Sequence, residues 1–173
     1  DDLIIASSTT ALRERFVKEL GGRFPIEDKG DLRWILGVAV DYDREKSELI
    51  LSQQLYASKL VKRFAPMADS GATRTFDTPM DERLVLPDSG PTPEDEGYDK
   101  IAARRSEYTS AVGGLLWLSN MTRFDIAYVA SVLARNLSNP GAEHLKVLHR
   151  ALAYLYATQR RALIFKPTSA PLS

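Results

Sequence analysis

The chain has no cysteine among its 173 residues. That excludes a disulfide framework and a zinc–thiolate site, and it fits a reducing compartment. No apolar run approaches the roughly 20 residues that span a bilayer, so no membrane partner is expected. The first residues show no basic segment leading into an apolar stretch and cleavage site, so no signal peptide is read there. Net charge is also missing, because 23 Lys+Arg balance 23 Asp+Glu. The balance conceals a division. Residues 1–100 carry 14 bases against 20 acids, and residues 101–161 carry eight bases against three acids. A basic C-terminal half suits a polyanion-binding surface, and equally an ordinary solvated helical face. The hydrophobic share of 44% and charged share of 27% fit a soluble globular chain with one core or two small subdomains.

What is present starts with an acidic pair, Asp1-Asp2, followed by the apolar run Leu3-Ile4-Ile5-Ala6. Adjacent carboxylates beside a buried-type strand must be hydrated, paired or neutralised by a metal. They read as half of a divalent-metal site, on a chain that opens inside an active site. Successive strand side chains face opposite ways. Only one of the two acids can therefore point fully at a metal unless a turn re-aims the other.

Residues 1–52 read as strand, helix, strand and hairpin. Leu3 to Ala6 is a short strand. Leu12, Phe16, Val17 and Leu20 share a helical face, with Thr9 or Thr10 as cap and Gly21-Gly22 as stop. Leu32 to Val40 is an apolar run broken by Gly37, which suggests a bulge or a close backbone approach to a ligand. Glu48 to Leu51 resumes as a strand after a polar turn. Residues 53–103 open with a helix capped by Ser52, with Ala57, Leu60, Val61 and Phe64 at helical spacing and Pro66 as stop. An exposed, acidic, Pro/Gly-containing linker follows over 69–100. Residues 104–160 read as three antiparallel helices, over about 106–120, from near Asp125, and after an Asn139-Pro140 cap. Residues 161–173 read as a tail. On the first of these helices Thr109, Gly113 and Trp117 fall at i, i+4 and i+8 on one face. Such a stripe suits close helix–helix packing with Trp117 in the core. It also suits a bare face pressed on the shallow groove of an A-like duplex.

In order along the chain, these residues resemble the C-terminal part of a copia-type (Ty/copia) retrotransposon reverse transcriptase. Asp1-Asp2-Leu3-Ile4-Ile5 resembles the tail of a Tyr-x-Asp-Asp signature. Leu20 to Val40, LGGRFPIEDKGDLRWILGVAV, resembles F-x-x-x-D-x-G-x-L-x-x-x-L-G-x-x-V. Leu51 to Tyr56 resembles L-S-Q-x-x-Y, and Thr78-Pro79-Met80 resembles T-P-M. Tyr108 to Tyr128 resembles Y-x-x-x-V-G-x-L-x-W/Y-L-x-x-x-T-R-x-D-I-A-Y, and His144 with Ala153 to Thr158 resembles H…R-Y-L-x-x-T. Any one motif is weak; six in sequence are specific. The sequence departs from the pattern at Phe124, where the family has Pro, and at Glu27 and Lys29, where it often has a basic residue and Leu.

The resemblance implies an α+β fold. The end of a polymerase palm, a short antiparallel sheet with a helix and a primer-grip hairpin, would precede a mainly helical thumb-like bundle. It implies phosphoryl transfer to a primer 3′-hydroxyl with Mg²⁺ (Mn²⁺ possible) held by Asp1 and Asp2. Lys29 would be the candidate for protonating the leaving pyrophosphate. Trp34, Leu36, Gly37, Thr109, Gly113, Trp117 and Arg123 would contact nucleic acid. The implied partners are an RNA or DNA template with primer, deoxynucleotides, and the fingers, upstream palm and ribonuclease H domain of the same polyprotein. The implied location is cytoplasmic, in a virus-like particle, and nuclear. A degenerate or co-opted element remnant, acting only in nucleic-acid binding or protein interaction, is the competing expectation. A third metal-binding Asp and the nucleotide-holding fingers are not found in these residues. The isolated chain is therefore expected to add no deoxynucleotide to a primer on an RNA template with Mg²⁺, and measurable incorporation would overturn that expectation.

Overall fold

Apolar spacing decides most of the architecture. The computed structural model describes residues 3–64 and 76–167. Its elements run α1 (Thr10–Gly21), β1 (Trp34–Ile35), β2 (Val38–Asp43), β3 (Glu48–Ser52), α2 (Gln54–Phe64) and α3 (Tyr98–Ala103). They continue with α4 (Arg105–Met121), a 3₁₀ turn at Phe124–Ile126, α5 (Ala127–Ala134), α6 (Ala142–Ala157) and β4 (Leu163–Phe165). The described residues are thus α+β, with six helices and a four-stranded antiparallel sheet in the order β1-β2-β3-β4.

The core lies among α2, α4, α5 and α6. Ala57, Leu60, Val61 and Phe64 of α2 are buried, as their spacing requires. They meet Tyr108, Ala111, Val112, Leu115 and Leu118 of α4 together with Leu145, Leu148, Leu152 and Leu155 of α6. Val129, Ala130 and Leu133 of α5 complete the cluster. Tyr108 is fully buried. Its hydroxyl donates to the Leu133 carbonyl at 2.7 Å, and burial pushes its pKa upward. The two central glycines of α4 have opposite surroundings. A Cβ on Gly114 would overlap the Leu60 side chain, which would have to shift to admit it, so α4 packs against α2 at a position without a side chain. A Cβ on Gly113 would meet nothing within 4 Å.

Several expectations change. Leu3 to Ala6 is not a strand: among the described residues no other strand pairs with it, and an extended segment without ladder partners is not a sheet element. It runs beside α1 instead, lining an open groove of about 350 Å³ with Leu12 and Phe16. Helix α1 forms as read, with Thr9 Oγ1 accepting from the Leu12 amide at 3.3 Å, yet none of its residues is buried. The run 32–40 is not a bulged strand. Leu36 and Gly37, at φ 48° and 77°, form a two-residue turn between Ile35 and Val38. The tail contributes β4, whose Leu163, Ile164 and Phe165 lie opposite Leu51, Ile50 and Leu49. Pro66 lies outside the described residues; α2 ends at Phe64.

The acidic segment is not wholly exposed, because Met80 is buried in the core. Thr78 holds that segment to α6 by accepting from Arg150 at both its carbonyl, 3.3 Å, and its hydroxyl, 2.9 Å. Further on, Gly90 crosses the connection between α5 and α6, its amide donating to the Asn139 carbonyl at 2.8 Å. A Cβ there would come within 2.6 Å of Pro140 backbone atoms. This crossing draws Asn139 and Pro140 out of the helix, so Gly141, not Asn139, is the N-cap of α6. His144, fully buried, accepts from the Gly141 amide through Nδ1 at 3.0 Å. The motif histidine is therefore a capping group. Burial lowers its pKa, against the opposing pull of the Pro87 backbone and the Glu143 charge.

The two adjacent glycines give a paired test. Gly114→Ala should cost about 1–3 kcal/mol through overpacking. Gly113→Ala should gain about 0.5–1 kcal/mol, as for any exposed helix interior. Equilibrium urea unfolding of both variants measures the difference; equal effects would contradict the packing assigned to α4.

Candidate functional site

Two elements meet at the candidate site. The β1–β2 turn carries Leu36 and Gly37, and α4 carries Thr109, Gly113 and Trp117 on the face turned away from the core. Trp117 is 37% exposed and is not a core aromatic. Its Nε1 lies 3.9 Å from the position a Cβ on Gly37 would take, so the indole edge borders the hairpin turn. Leu36 has two unfavourable features at once. It is a non-glycine residue in the left-handed region, and its apolar side chain is 61% exposed. Trp34, one strand position before Ile35, is 51% exposed. Apolar side chains on a strained turn beside an open helix face form a surface shaped for contact. Thr109 is exposed, but its hydroxyl is directed to the Leu137 carbonyl at 3.4 Å.

Arg123 departs from its expected role. It is 2% exposed, and its guanidinium grips Asp125 in a bidentate pair at 2.9 Å on both arms. Two further donors go to the Thr158 carbonyl at 3.2 Å and hydroxyl at 2.6 Å. With four of its five N–H donors engaged inside the fold, this buried fork is turned away from any phosphate in solvent. Tyr154 donates to Asp125 at 2.8 Å, and Arg161 donates to the Tyr154 hydroxyl at 2.7 Å and to Asp125 at 3.3 Å. This network ties the end of α6 to the α4–α5 junction. Burial pushes the Asp125 carboxyl upward. Hydrogen bonds from Arg123 and Tyr154 and the charges of Arg123 and Arg161 outweigh it, leaving the carboxyl below its ordinary value. Much of the basic surplus of 101–161 is engaged in the same manner, with Arg150 on Thr78 and Asp81 and Lys146 on Glu143.

Lys29 stands apart from this surface, in the exposed loop after α1, paired with Glu27 at 2.5 Å. The same loop is fastened to α1 by Asp28, which accepts from the Gly30 amide at 2.9 Å and from Arg13 at 2.8 Å. Those two bonds hold the Asp28 carboxyl below its ordinary value. Asp1 and Asp2 lie outside the described residues. Among the described residues no three Asp, Glu, His or Cys side chains gather where they could hold a metal ion. The described residues thus do not by themselves form an Mg²⁺ site.

Sequence reasoning missed the polar pairs behind this surface. Gln53 and Thr122, both nearly fully buried, join the start of α2 to the end of α4 through a 2.9 Å bond from the Thr122 hydroxyl to Gln53 Oε1. Both stand inside quoted motifs, L-S-Q and T-R-x-D. The available signal was a polar residue repeated beside helix caps with no role of its own.

With the geometry in place, comparison with known proteins gives a consistent class: Pol polyproteins of retrotransposons. The chain is 31% identical over 166 residues to the Retrovirus-related Pol polyprotein from transposon TNT 1-94 of Nicotiana tabacum, covering 95% of this chain and 12% of that protein. It is 28% identical to a putative transposon Ty5-1 protein of Saccharomyces cerevisiae over 98% of this chain and 51% of the relative. It is 29% identical to the Retrovirus-related Pol polyprotein from transposon RE1 of Arabidopsis thaliana over 96% of this chain and 10% of the relative. The chain belongs to the copia-type Pol polyprotein family, and it spans between a tenth and a half of the length of these relatives. No family model matches it, and no solved structure matches it. Among the described residues no helix is long and apolar enough to cross a membrane.

The Arg123 network predicts acid lability. Asp125 has a lower pKa folded than unfolded, so its contribution is present above the unfolded value and is lost as pH falls through the folded one. Thermal melts between pH 7 and 2 should show that loss, and Asp125→Asn should remove this share of it. Arg123→Ala should cost roughly 1.5–3 kcal/mol, the range for charged hydrogen bonds, because Asp125 loses its bidentate partner and keeps only Tyr154 and Arg161. A variant within experimental error of the parent would show that the network contributes nothing.

Proposed function

We propose that this chain is the primer- and template-gripping part of an RNA-directed DNA polymerase from a copia-type retrotransposon. On this reading residues up to Ser52 form the end of the palm, with the β1–β2 hairpin as primer grip, and α4 to α6 form the thumb. The observation that carries it is the meeting of the Gly37 turn with Trp117, on a helix face left open at Gly113. The order of the motifs and the relatedness to Pol polyproteins support it independently.

The chemistry of such a surface follows from its residues. An A-like duplex presents a wide, shallow minor groove lined by sugars, which proteins meet by shape and van der Waals contact. A glycine without neighbours lets a sugar–phosphate edge approach the α4 backbone. The flat indole of Trp117 offers a stacking or edge contact one helical turn on. Leu36 and Trp34 supply apolar contact from the hairpin. Template with primer would thus be held between turn and helix. The metal-dependent transfer itself belongs to residues outside those described.

Binding of a fluorescein-labelled RNA–DNA hybrid to the chain tests this proposal. Trp117→Ala should weaken binding about five- to fifty-fold, the size of one lost aromatic contact. Because Arg123 is buried and Arg150, Arg161 and Lys146 are paired with carboxylates, log affinity should fall shallowly with log salt, with a slope corresponding to about one or two phosphates. Affinity indifferent to salt, or to Trp117→Ala, would remove the support for the thumb.

A further inference from the structure

The candidate surface is built from two elements far apart in sequence, and their spacing has to be fixed by something. The Gly37 turn leads through Val38 to Ala39, which lies opposite Ser52 in the β2–β3 ladder. Ser52 precedes Gln53, the first buried residue after the sheet. On the other side Trp117 is followed five residues later by Thr122, the C-cap of α4, roughly 7.5 Å along the axis. Thr122 Oγ1 donates to Gln53 Oε1 at 2.9 Å, and the two residues are 4% and 2% exposed. Turn, ladder, Gln53, Thr122, α4 and Trp117 therefore close a ring. Outside the ladder it is joined where Trp117 borders the Gly37 turn at one end and where Thr122 bonds Gln53 at the other.

We infer that Gln53 and Thr122 are positioning residues that set the separation of the hairpin turn from Trp117. The inference rests on the nucleic-acid reading only for its consequence, since the geometry it concerns is internal to the chain. Gln53 is suited to the task because it has no other anchor: among the described residues its Nε2 has no hydrogen-bond partner. Thr122 is suited because a hydroxyl can donate or accept, so the pair forms with either orientation of the amide. Removing the hydroxyl leaves a buried amide with no partner at either atom. Such a group is driven to rearrange toward water, and the end of β3 and the start of α2 would move with it. The apolar contact at Gly114 and Leu60 keeps the helices packed, so the fold survives while the gap at the surface changes.

The experiment separates this role from general stability. With Trp34→Phe as background, Trp117 is the single indole of the chain, and acrylamide quenching reports its exposure. Thr122→Val, equal in shape and lacking the hydroxyl, should increase the quenching and red-shift the emission at temperatures where circular dichroism shows the fold intact. In the chain with Trp34 retained it should weaken binding of the labelled RNA–DNA hybrid by about two- to ten-fold, the range of one buried hydrogen bond. Thr122→Ser should keep parental values in both assays. Should Thr122→Val not fold, Gln53→Asn, which withdraws the amide by one methylene, carries the same expectation. Quenching unchanged by loss of the bond overturns the inference, whatever the affinity does, and so does a Thr122→Ser variant as perturbed as Thr122→Val. If Trp117→Ala leaves hybrid binding intact, the nucleic-acid reading fails, while the quenching data still decide whether the pair positions the indole.

Discussion

The close approach of α4 to α2 at Gly114 is the contact on which the rest of the molecule depends. Leu60 occupies the space a Cβ would fill, and α4 can then sink its Tyr108, Val112, Leu115 and Leu118 side into the cluster shared with α5 and α6. A helix buried so deeply on one side turns the opposite side outward by geometry alone. Thr109, Gly113 and Trp117 are that opposite side. The exposure of Trp117 therefore follows from the burial of the other side of α4.

Polar pairs do the fastening that apolar packing cannot. Apolar contacts are nondirectional and allow helices to slide or rotate at small cost, whereas a buried hydrogen bond has one good geometry. Three such ties lie at the ends of α4 and α6: Gln53 with Thr122, Arg123 with Asp125 and Thr158, and His144 with the Gly141 amide. Each falls within a motif shared with the retroelement pattern. Much of what marks the family in this stretch is thus joinery. The arginine that looks most like a phosphate ligand in the sequence is the most completely enclosed cation of the group.

How much was legible depends on whether the determinant was local. The α2 helix was, because Ala57, Leu60, Val61 and Phe64 repeat at 3.6 residues and Ser52 caps the first turn, its Oγ accepting from Gln54 at 3.2 Å. The β2–β3 hairpin was, from its polar turn between apolar runs. Leu3 to Ala6 was not, since an apolar tetrapeptide becomes a strand only beside a partner. β4 was not, because three residues carry no readable alternation and its place is set by the free edge of β3. Asn139-Pro140 looked like a helix start and was displaced by Gly90, a crossing from 49 residues earlier in the chain. At the candidate site, spacing alone put Thr109, Gly113 and Trp117 on one face but could not say which way that face turned. Arg123 was misjudged because its burial is made possible by a carboxylate two residues away and a hydroxyl 35 residues away.

The electrostatic division of the chain has a different meaning once its pairs are known. A surplus of bases over residues 101–161 suggested a surface for polyanions. Yet Arg123 and Arg161 neutralise Asp125, Arg150 reaches Asp81, and Lys146 holds Glu143. Part of the acidic N-terminal surplus is thus the counterpart of the basic C-terminal one, joined through Arg150 and through Lys166 with Glu48. A surface lined by exposed apolar side chains and an open glycine suits recognition of shape and sugar faces. On the proposed reading such a surface would hold a duplex and still let it slide, because van der Waals contact is regained at every step while tightly paired phosphates would have to be released.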